Sequence, residues 1–97
     1  MPTYIGLSRA TQKGRETIKD APARLQKAKE GLKAAGIKLL GFYMTMGQYD
    51  YVTIFEAPND EAVAKATLAI GAVGTLQGET LRAFTEEEFQ KIVAGLP

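Results

Sequence analysis

The sequence contains no cysteine and no histidine. Without cysteine the chain forms no disulfide and offers no thiolate to a metal, which fits a reducing compartment. Without histidine it lacks the usual zinc ligand, the usual haem-iron ligand and the commonest general acid–base. We therefore expect no metal site and no cofactor. Haem held through an imidazole is excluded, whereas a tyrosinate or carboxylate ligand stays open and is disfavoured.

Neither sign of charge is in excess. The chain has 12 Lys and Arg against 11 Asp and Glu, a net charge of +1, and the two signs are interspersed. No basic stripe is available to neutralise phosphates, so we expect no nucleic-acid partner. No apolar run approaches a membrane span, and the first residues lack the regions of a signal peptide. We expect no membrane association and a cytoplasmic location.

The length of 97 residues indicates one domain, 1–97. A chain of this size buries roughly two thirds of the surface that its unfolded form exposes. Such a core can stand alone, but a partner would add to it. The apolar share of 45% and the charged share of 24% are ordinary for a globular protein.

Residues 46–58 contain the strongest local signal. A turn with Gly47 runs into the β-branched and aromatic segment Tyr51–Ala57, which Pro58 then stops. Another apolar run, Ile37–Met46, lies just before the turn. Two such runs around a short turn predict a β-hairpin.

The rest of the chain alternates between strand and helix periodicity. Thr3–Arg9 alternates with a period of two, and Thr11–Gly14 is predicted to be a polar connection. Pro22 is tolerated only in a first turn, so the next helix is predicted from Asp20 or Ala21 to Ala35, with Asp20 as N-cap and Gly36 as a left-handed stop. The remaining predictions are a helix after Asn59, a strand over Thr75–Phe84 and a short helix that starts with a capping box at Thr85–Glu88.

This order predicts an α+β fold of the ferredoxin-like type, βαββαβ. With right-handed crossovers it gives a four-stranded antiparallel sheet with two helices on one face, plus a short C-terminal helix.

Helices on one side leave the other face of the sheet open. We expect that face to carry Tyr4, Gly6, Ser8, Tyr51, Thr53, Phe55 and one side of the second strand. So large an apolar patch is unusual on a monomer, and a second copy placed sheet to sheet would cover it. Burying ~800 Å² per subunit, half of it apolar, contributes on the order of 10 kcal/mol before association costs. The alternative is that the terminal helix folds back over this face.

The residues described so far resemble the GYD-domain family. The likeness rests on the turn Gly47-x-Tyr49-Asp50 and on several further motifs, which together span nearly the whole chain. Those motifs are Thr11-x-x-Gly14, Ile18-Lys19-Asp20-x-Pro22-x-Arg24, Glu56-Ala57-Pro58, Gly74-Thr75 and Gly78–Phe84. The resemblance implies a dimeric α/β-barrel and leaves the activity open. Fold relatives range from cofactor-free monooxygenases and haem enzymes to lactone isomerases and ligand-sensing modules, so fold alone transfers no function.

Two residues at the predicted hairpin tip are candidates for chemistry. Asp50 has the chemistry of a general base or ligand acceptor, and Tyr49 that of a proton donor. The structural alternative is favoured: the carboxylate bonds amides of its own turn, and Tyr49 packs against a neighbour.

A basic and an aromatic set complete the candidate ligand-binding residues. Lys19, Arg24 and Arg82, with Thr80 or Ser8, suit a carboxylate or phosphate, although a solvated surface with a salt bridge to Glu79 or Asp20 is favoured. Tyr4, Tyr43, Tyr51 and Phe55 are predicted to line either an aromatic pocket or a dimer interface. The candidate ligand-binding set is Tyr43, Tyr49, Asp50, Arg82, Lys19 and Arg24.

Three functions agree with these observations. The first is a homodimeric, or larger homo-oligomeric, module that binds or senses a small organic molecule in a cavity between paired sheets. The second is a cofactor-free monooxygenase or isomerase with Asp50 as its base. The third is a domain whose only role is self-association.

Overall fold

The structure is a computed structural model that describes residues 1–97. It contains four strands, four helices and one 3₁₀ turn. In chain order these are β1 Thr3–Ala10, α1 Gln12–Glu16, the 3₁₀ turn Ile18–Asp20, α2 Ala21–Ala34, β2 Lys38–Met44, β3 Tyr51–Glu56, α3 Asp60–Val73, β4 Leu76–Ala83 and α4 Glu86–Ala94.

The strands form one antiparallel sheet in the order β2-β3-β1-β4. Tyr4 of β1 lies opposite Phe55 of β3 and Arg82 of β4, which fixes the register of these three strands. The strand order and the connecting helices confirm the predicted ferredoxin-like α+β fold.

Local sequence signals explain where the helices begin and end. The side chains of Thr11, Asn59 and Thr85 each accept a hydrogen bond from the first turn of the helix that follows. At Thr85 the bond is reciprocated by Glu88, which confirms the predicted capping box. Gly36 has φ +78°, a left-handed conformation that favours glycine, and it ends α2 as predicted.

Three local predictions differ from the structure. The segment after Thr11 is the short helix α1 rather than a polar connection, because Thr11 caps it through the Gly14 amide. Asp20 precedes α2 but makes no side-chain cap bond, since it already belongs to the 3₁₀ turn. Strand β2 ends at Met44, and its register shifts between Leu39 and Gly41.

The assignment of the two sheet faces is inverted relative to the sequence prediction. Tyr4 is buried in a cluster with Ile37, Ala57 and Val63, and Leu32, Phe55 and Ala66 pack against that cluster. Because Leu32 belongs to α2 and Val63 to α3, the face of the sheet that carries Tyr4 and Phe55 is the one that the helices cover. The prediction that Tyr4, Gly6, Ser8, Tyr51, Thr53 and Phe55 form the open face is therefore wrong.

The physical reason is a match of side-chain size. The face of α3 toward the sheet carries small residues, Ala62, Val63 and Ala66, so the helix leaves room for large rings on the strands. The rings of Tyr4 and Phe55 fill it as a stacked pair with centroids 5.5 Å apart. The Tyr4 hydroxyl reaches the edge of this layer and donates a hydrogen bond to the Asp60 carboxylate.

The single chain encloses little interior. Only 7 of 97 residues are buried, and the radius of gyration is 14.8 Å. A compact chain of this length has a radius of gyration of about 12.5 Å. None of the helices is both long and apolar enough to cross a membrane.

Candidate functional site

The face of the sheet opposite the helices is the most distinctive surface of the chain. Strand alternation and register place Ile5, Leu7, Val52, Ile54 and Leu81 together on it. We call these five residues the open face. They are aliphatic, whereas the helix-covered face carries the aromatic rings. No helix of the chain covers the open face, so it is an apolar surface of the kind that marks interaction sites.

A polar cluster borders the open face where β1 ends. The Tyr49 hydroxyl donates to Glu79 Oε1 at 2.6 Å, and the Arg9 guanidinium lies 5.2 Å from the centre of the Tyr49 ring. With Gln77 and Gly78, these three residues line a cleft of about 360 Å³. We call Arg9, Tyr49 and Glu79 the polar trio.

The environment of Tyr49 favours its neutral form. The hydrogen bond to Glu79 raises the pKa of the Tyr49 phenol, desolvation and the negative charge of Glu79 add to this, and Arg9 opposes it. At neutral pH the hydroxyl therefore stays protonated and holds the hairpin tip against β4 across β1.

Asp50 completes the sheet at the hairpin tip. Its amide donates to the Ser8 carbonyl at 2.9 Å, and its carboxylate Oδ2 accepts from the Ala10 amide at 2.9 Å. The side chain thus takes the place of a main-chain carbonyl just before the start of β3. The structural role favoured from the sequence is supported, but the donor is an amide of β1 rather than one of its own turn.

Tyr43 lies on the same side of the sheet as the open face, opposite Val52 on the edge strand β2. It is 57% exposed, and its ring lies next to Gly41. The structure therefore separates Tyr43 from Tyr4, Tyr51 and Phe55, which lie on the helix side. The four aromatic residues do not line one pocket within a single chain.

The three basic candidates do not come together. Arg82 lies next to Tyr4, with its guanidinium 5.7 Å from the Tyr4 ring centre and 4.5 Å from that of Phe84. Arg24 is held near the other end of β1, where it donates to the Thr17 carbonyl at 3.1 Å and to the Thr17 hydroxyl at 3.0 Å.

Six residue steps along β1, from Tyr4 to Ala10, separate these two ends of the sheet, a distance of about 20 Å. Lys19 is exposed in the 3₁₀ turn, at the Arg24 end. Of the basic set, Arg82, Thr80 and Ser8 share the helix side of the sheet, but no anion-binding site joins Arg82 to Arg24.

Two further motifs, Thr11-x-x-Gly14 and Gly74-Thr75, contact each other in the structure. Thr11 donates through its amide to the Thr75 carbonyl at 3.0 Å and through its hydroxyl to the Gly74 carbonyl at 2.6 Å. Gly14 has no room for a side chain, because an added Cβ would lie 2.3 Å from the Thr75 oxygen. These contacts hold the start of α1 against the end of α3. The Thr11 amide and hydroxyl and the carbonyls of Gly74 and Thr75 are all hydrogen-bonded there.

Sequence reasoning missed Arg9 and Glu79 as site residues. Both look like ordinary surface charges on strands, and only the pairings of Leu7 with Glu79 and Arg9 with Gln77 bring them beside Tyr49. The alternation of side chains along β1 and β4 could have indicated them, since it places both residues on the same side of the sheet as Leu7.

Comparison with known proteins identifies the family of this chain. The family model described as GYD domain matches residues 4–93. The chain is 34% identical over 84 residues to a Thermus thermophilus protein named "Glutamine synthetase and cystathionine beta-lyase binding protein", covering 86% of this chain and 88% of that protein. No solved structure matches the chain. This chain belongs to the GYD domain family.

Proposed function

We propose that this chain is a protein-binding module that pairs with a second copy through its open face and, as a pair, docks on a metabolic enzyme. The observation that carries the proposal is the open face itself, five aliphatic side chains on the side of the sheet without helices. Apolar surfaces of this kind mark protein–protein interfaces.

The family motifs support a binding role over a catalytic one. Asp50 is occupied by the Ala10 amide, Tyr49 by Glu79, and Thr11 by Gly74 and Thr75. The motif residues that could have carried chemistry therefore hold the scaffold in shape. The name of the Thermus relative points the same way, because it describes binding to two enzymes. We extend that class of partner, glutamine synthetase or cystathionine β-lyase, to this chain.

Pairing is tested by a charge placed on the open face. We expect the wild-type chain to sediment as a pair at micromolar concentration and Leu7→Asp to sediment at 10.5 kDa with an unchanged far-ultraviolet circular dichroism spectrum. Leu68→Asp is the matched control, because Leu68 is 74% exposed on α3, away from the open face. A monomeric wild type, or equal dissociation by both variants, would refute the pairing.

Enzyme docking is tested separately. Purified glutamine synthetase and cystathionine β-lyase from the same organism are immobilised, and binding of the chain is followed by interferometry. We expect binding to at least one of the two by the wild type and by Leu68→Asp. Absence of binding to both enzymes, from a chain that is folded and paired, would overturn this part of the proposal.

The polar trio favours a second candidate function, binding of a small polar organic molecule between the paired sheets. Arg9, Tyr49 and Glu79 supply a cation, a hydroxyl and a carboxylate beside an otherwise apolar surface. A metabolite that stabilises the wild type in a thermal-shift screen, stabilises Arg82→Ala equally and fails with Tyr49→Phe would support it. Arg82 is a suitable control because it lies on the helix side. A screen without stabilisation would refute it.

A further inference from the structure

The C-terminal helix α4 has no partner within its own chain. The apolar side chains Phe89, Ile92 and Val93 of α4, and Leu96 just after its end, are all at least 47% exposed. They recur at helical spacing and form one apolar stripe along α4 and its C-terminal end. The first turn carries Glu86, Glu87 and Glu88. The helix is thus acidic at its start and apolar along one side.

A groove of complementary character lies between α2 and β2. Its volume is about 710 Å³, and its apolar lining includes Leu32, Leu39, Leu40 and Phe42. The register shift between Leu39 and Gly41 adds Leu40 as an extra residue, and such bulges redirect side chains at sheet edges. Leu40 is 50% exposed there.

The rim of this groove is basic. Lys29, Lys33 and Lys38 lie along it, and none of the three is in a salt bridge. The groove therefore matches α4 in both respects, with apolar residues for the stripe and lysines for the acidic first turn.

The topology brings α4 of one copy to the groove of another. Strand β4 ends at Ala83 opposite Thr3, and β2 begins at Lys38 opposite Glu56, which also pairs with Thr3. The start of α4 and the mouth of the groove thus lie at the same end of the sheet, on opposite edges.

A twofold axis parallel to the strands, between two open faces, places the β4 edge of one copy over the β2 edge of the other. Paired sheets lie about 10 Å apart, and the connection from Ala83 to Glu86 spans about 10 Å when extended. The first turn of α4 can therefore reach the β2 edge of the partner copy, and the helix, which is about 13.5 Å long, can continue along the groove.

We propose that α4 of each copy packs its apolar stripe into the α2–β2 groove of the second copy, with its first turn against the lysine rim. This exchange rests on the sheet-to-sheet pairing proposed above. It makes the two copies reciprocal, since each gives one helix and receives one.

The natural absence of cysteine allows a direct cross-linking test. The doubly substituted chain Leu40→Cys/Ile92→Cys is treated with a short bismaleimide, and Leu68→Cys/Ile92→Cys is the matched control. We expect the first to run at the mass of two chains under denaturing conditions and the control to remain largely single. Cross-linking within one chain, equal cross-linking of the control, or no cross-link in a chain that light scattering shows to be paired would overturn the exchange alone. A monomeric wild type would overturn the pairing and the exchange together.

Charge reversal gives an independent test. In a groove variant, Lys29→Glu and Lys33→Glu make the rim acidic, and in a helix variant, Glu86→Lys and Glu87→Lys make the first turn basic. Each variant alone places like charges together, so we expect its self-association to weaken about tenfold. An equimolar mixture restores opposite charges at both grooves and should pair like the wild type. Equal pairing by the separate variants and their mixture would refute the contact.

Discussion

Removal of the Asp50 carboxylate should destabilise the fold by a predictable amount. Ala10 is 5% exposed, and its amide donates to Asp50 Oδ2 at 2.9 Å. In Asp50→Ala this amide loses its acceptor in a site that water reaches poorly. A lost hydrogen bond to a charged group, with its donor left unsatisfied, costs about 2 kcal/mol. For a domain of this size that corresponds to a fall of roughly 10 °C in the midpoint of thermal unfolding.

The matched variant is Asp50→Asn. Its side-chain carbonyl can still accept from the Ala10 amide, so only the contribution of the charge is lost and we expect a cost of about 1 kcal/mol or less. Both variants are compared with the wild type by urea and thermal unfolding at one protein concentration, because pairing makes the midpoint concentration-dependent.

The order wild type, Asp50→Asn, Asp50→Ala is the informative result. A catalytic aspartate held in place by other contacts would give three chains of equal stability. Equal stability of the three would therefore refute the assignment of Asp50 as a main-chain acceptor.

Further predictions concern pH, backbone strain and association. Hydrogen bonds to Asp60 and Glu79 raise the pKa values of Tyr4 and Tyr49 above 10.0. The contribution of these two bonds to folding stability is therefore complete below pH ~10 and is lost as pH rises through the folded-state pKa values. Absorbance at 295 nm should show two late-titrating tyrosines and one after Tyr49→Phe. Gly47→Ala should cost about 1–2 kcal/mol at φ +123°, whereas Gly71→Ala, which meets nothing within 4 Å, should stabilise α3 by about 1 kcal/mol in urea unfolding. The thermal midpoint of a paired chain should rise about 3 °C per tenfold increase in concentration, a dependence that Leu7→Asp removes; a constant midpoint in the wild type would contradict pairing.

Much of the fold could be predicted because its signals are local. The glycine at position 47 adopts a positive φ, Gly36 ends α2, and Thr85 and Glu88 form the capping box. Each of these depends on residues within a few positions of one another. The order of strands and helices then leaves few topologies for a four-stranded sheet.

The assignment of sheet faces failed because both faces of β1 are apolar enough to be core. Ile5 and Leu7 resemble a buried side, and Tyr4, Gly6 and Ser8 a mixed one. The structure reverses this, since the alanines of α3 leave space that aromatic rings fill. Pairing small helix residues with large strand residues, rather than ranking each strand face by hydropathy, would have given the observed arrangement.

The candidate site could be predicted only in part, for a similar reason. Tyr49 and Asp50 attract attention as a motif, but their partners Glu79 and Ala10 lie 30 and 40 residues away in the chain. No local pattern specifies such contacts. The separation of Arg82 from Arg24 is also a property of strand direction, which spacing in the sequence does not show.

The distribution of polar and apolar groups supports the proposed association. The polar groups of its motif residues form hydrogen bonds within the chain, at the ends of strands and helices. Asp50 accepts from the Ala10 amide, and Thr11 donates to the Gly74 carbonyl. Three apolar surfaces are left uncovered by the chain itself. They are the open face, the stripe of α4 and the α2–β2 groove. A chain selected for stability alone would cover such surfaces with its own polar side chains. The reciprocal pair proposed above covers all three surfaces, because the open faces pack against each other and each α4 enters the groove of the other copy.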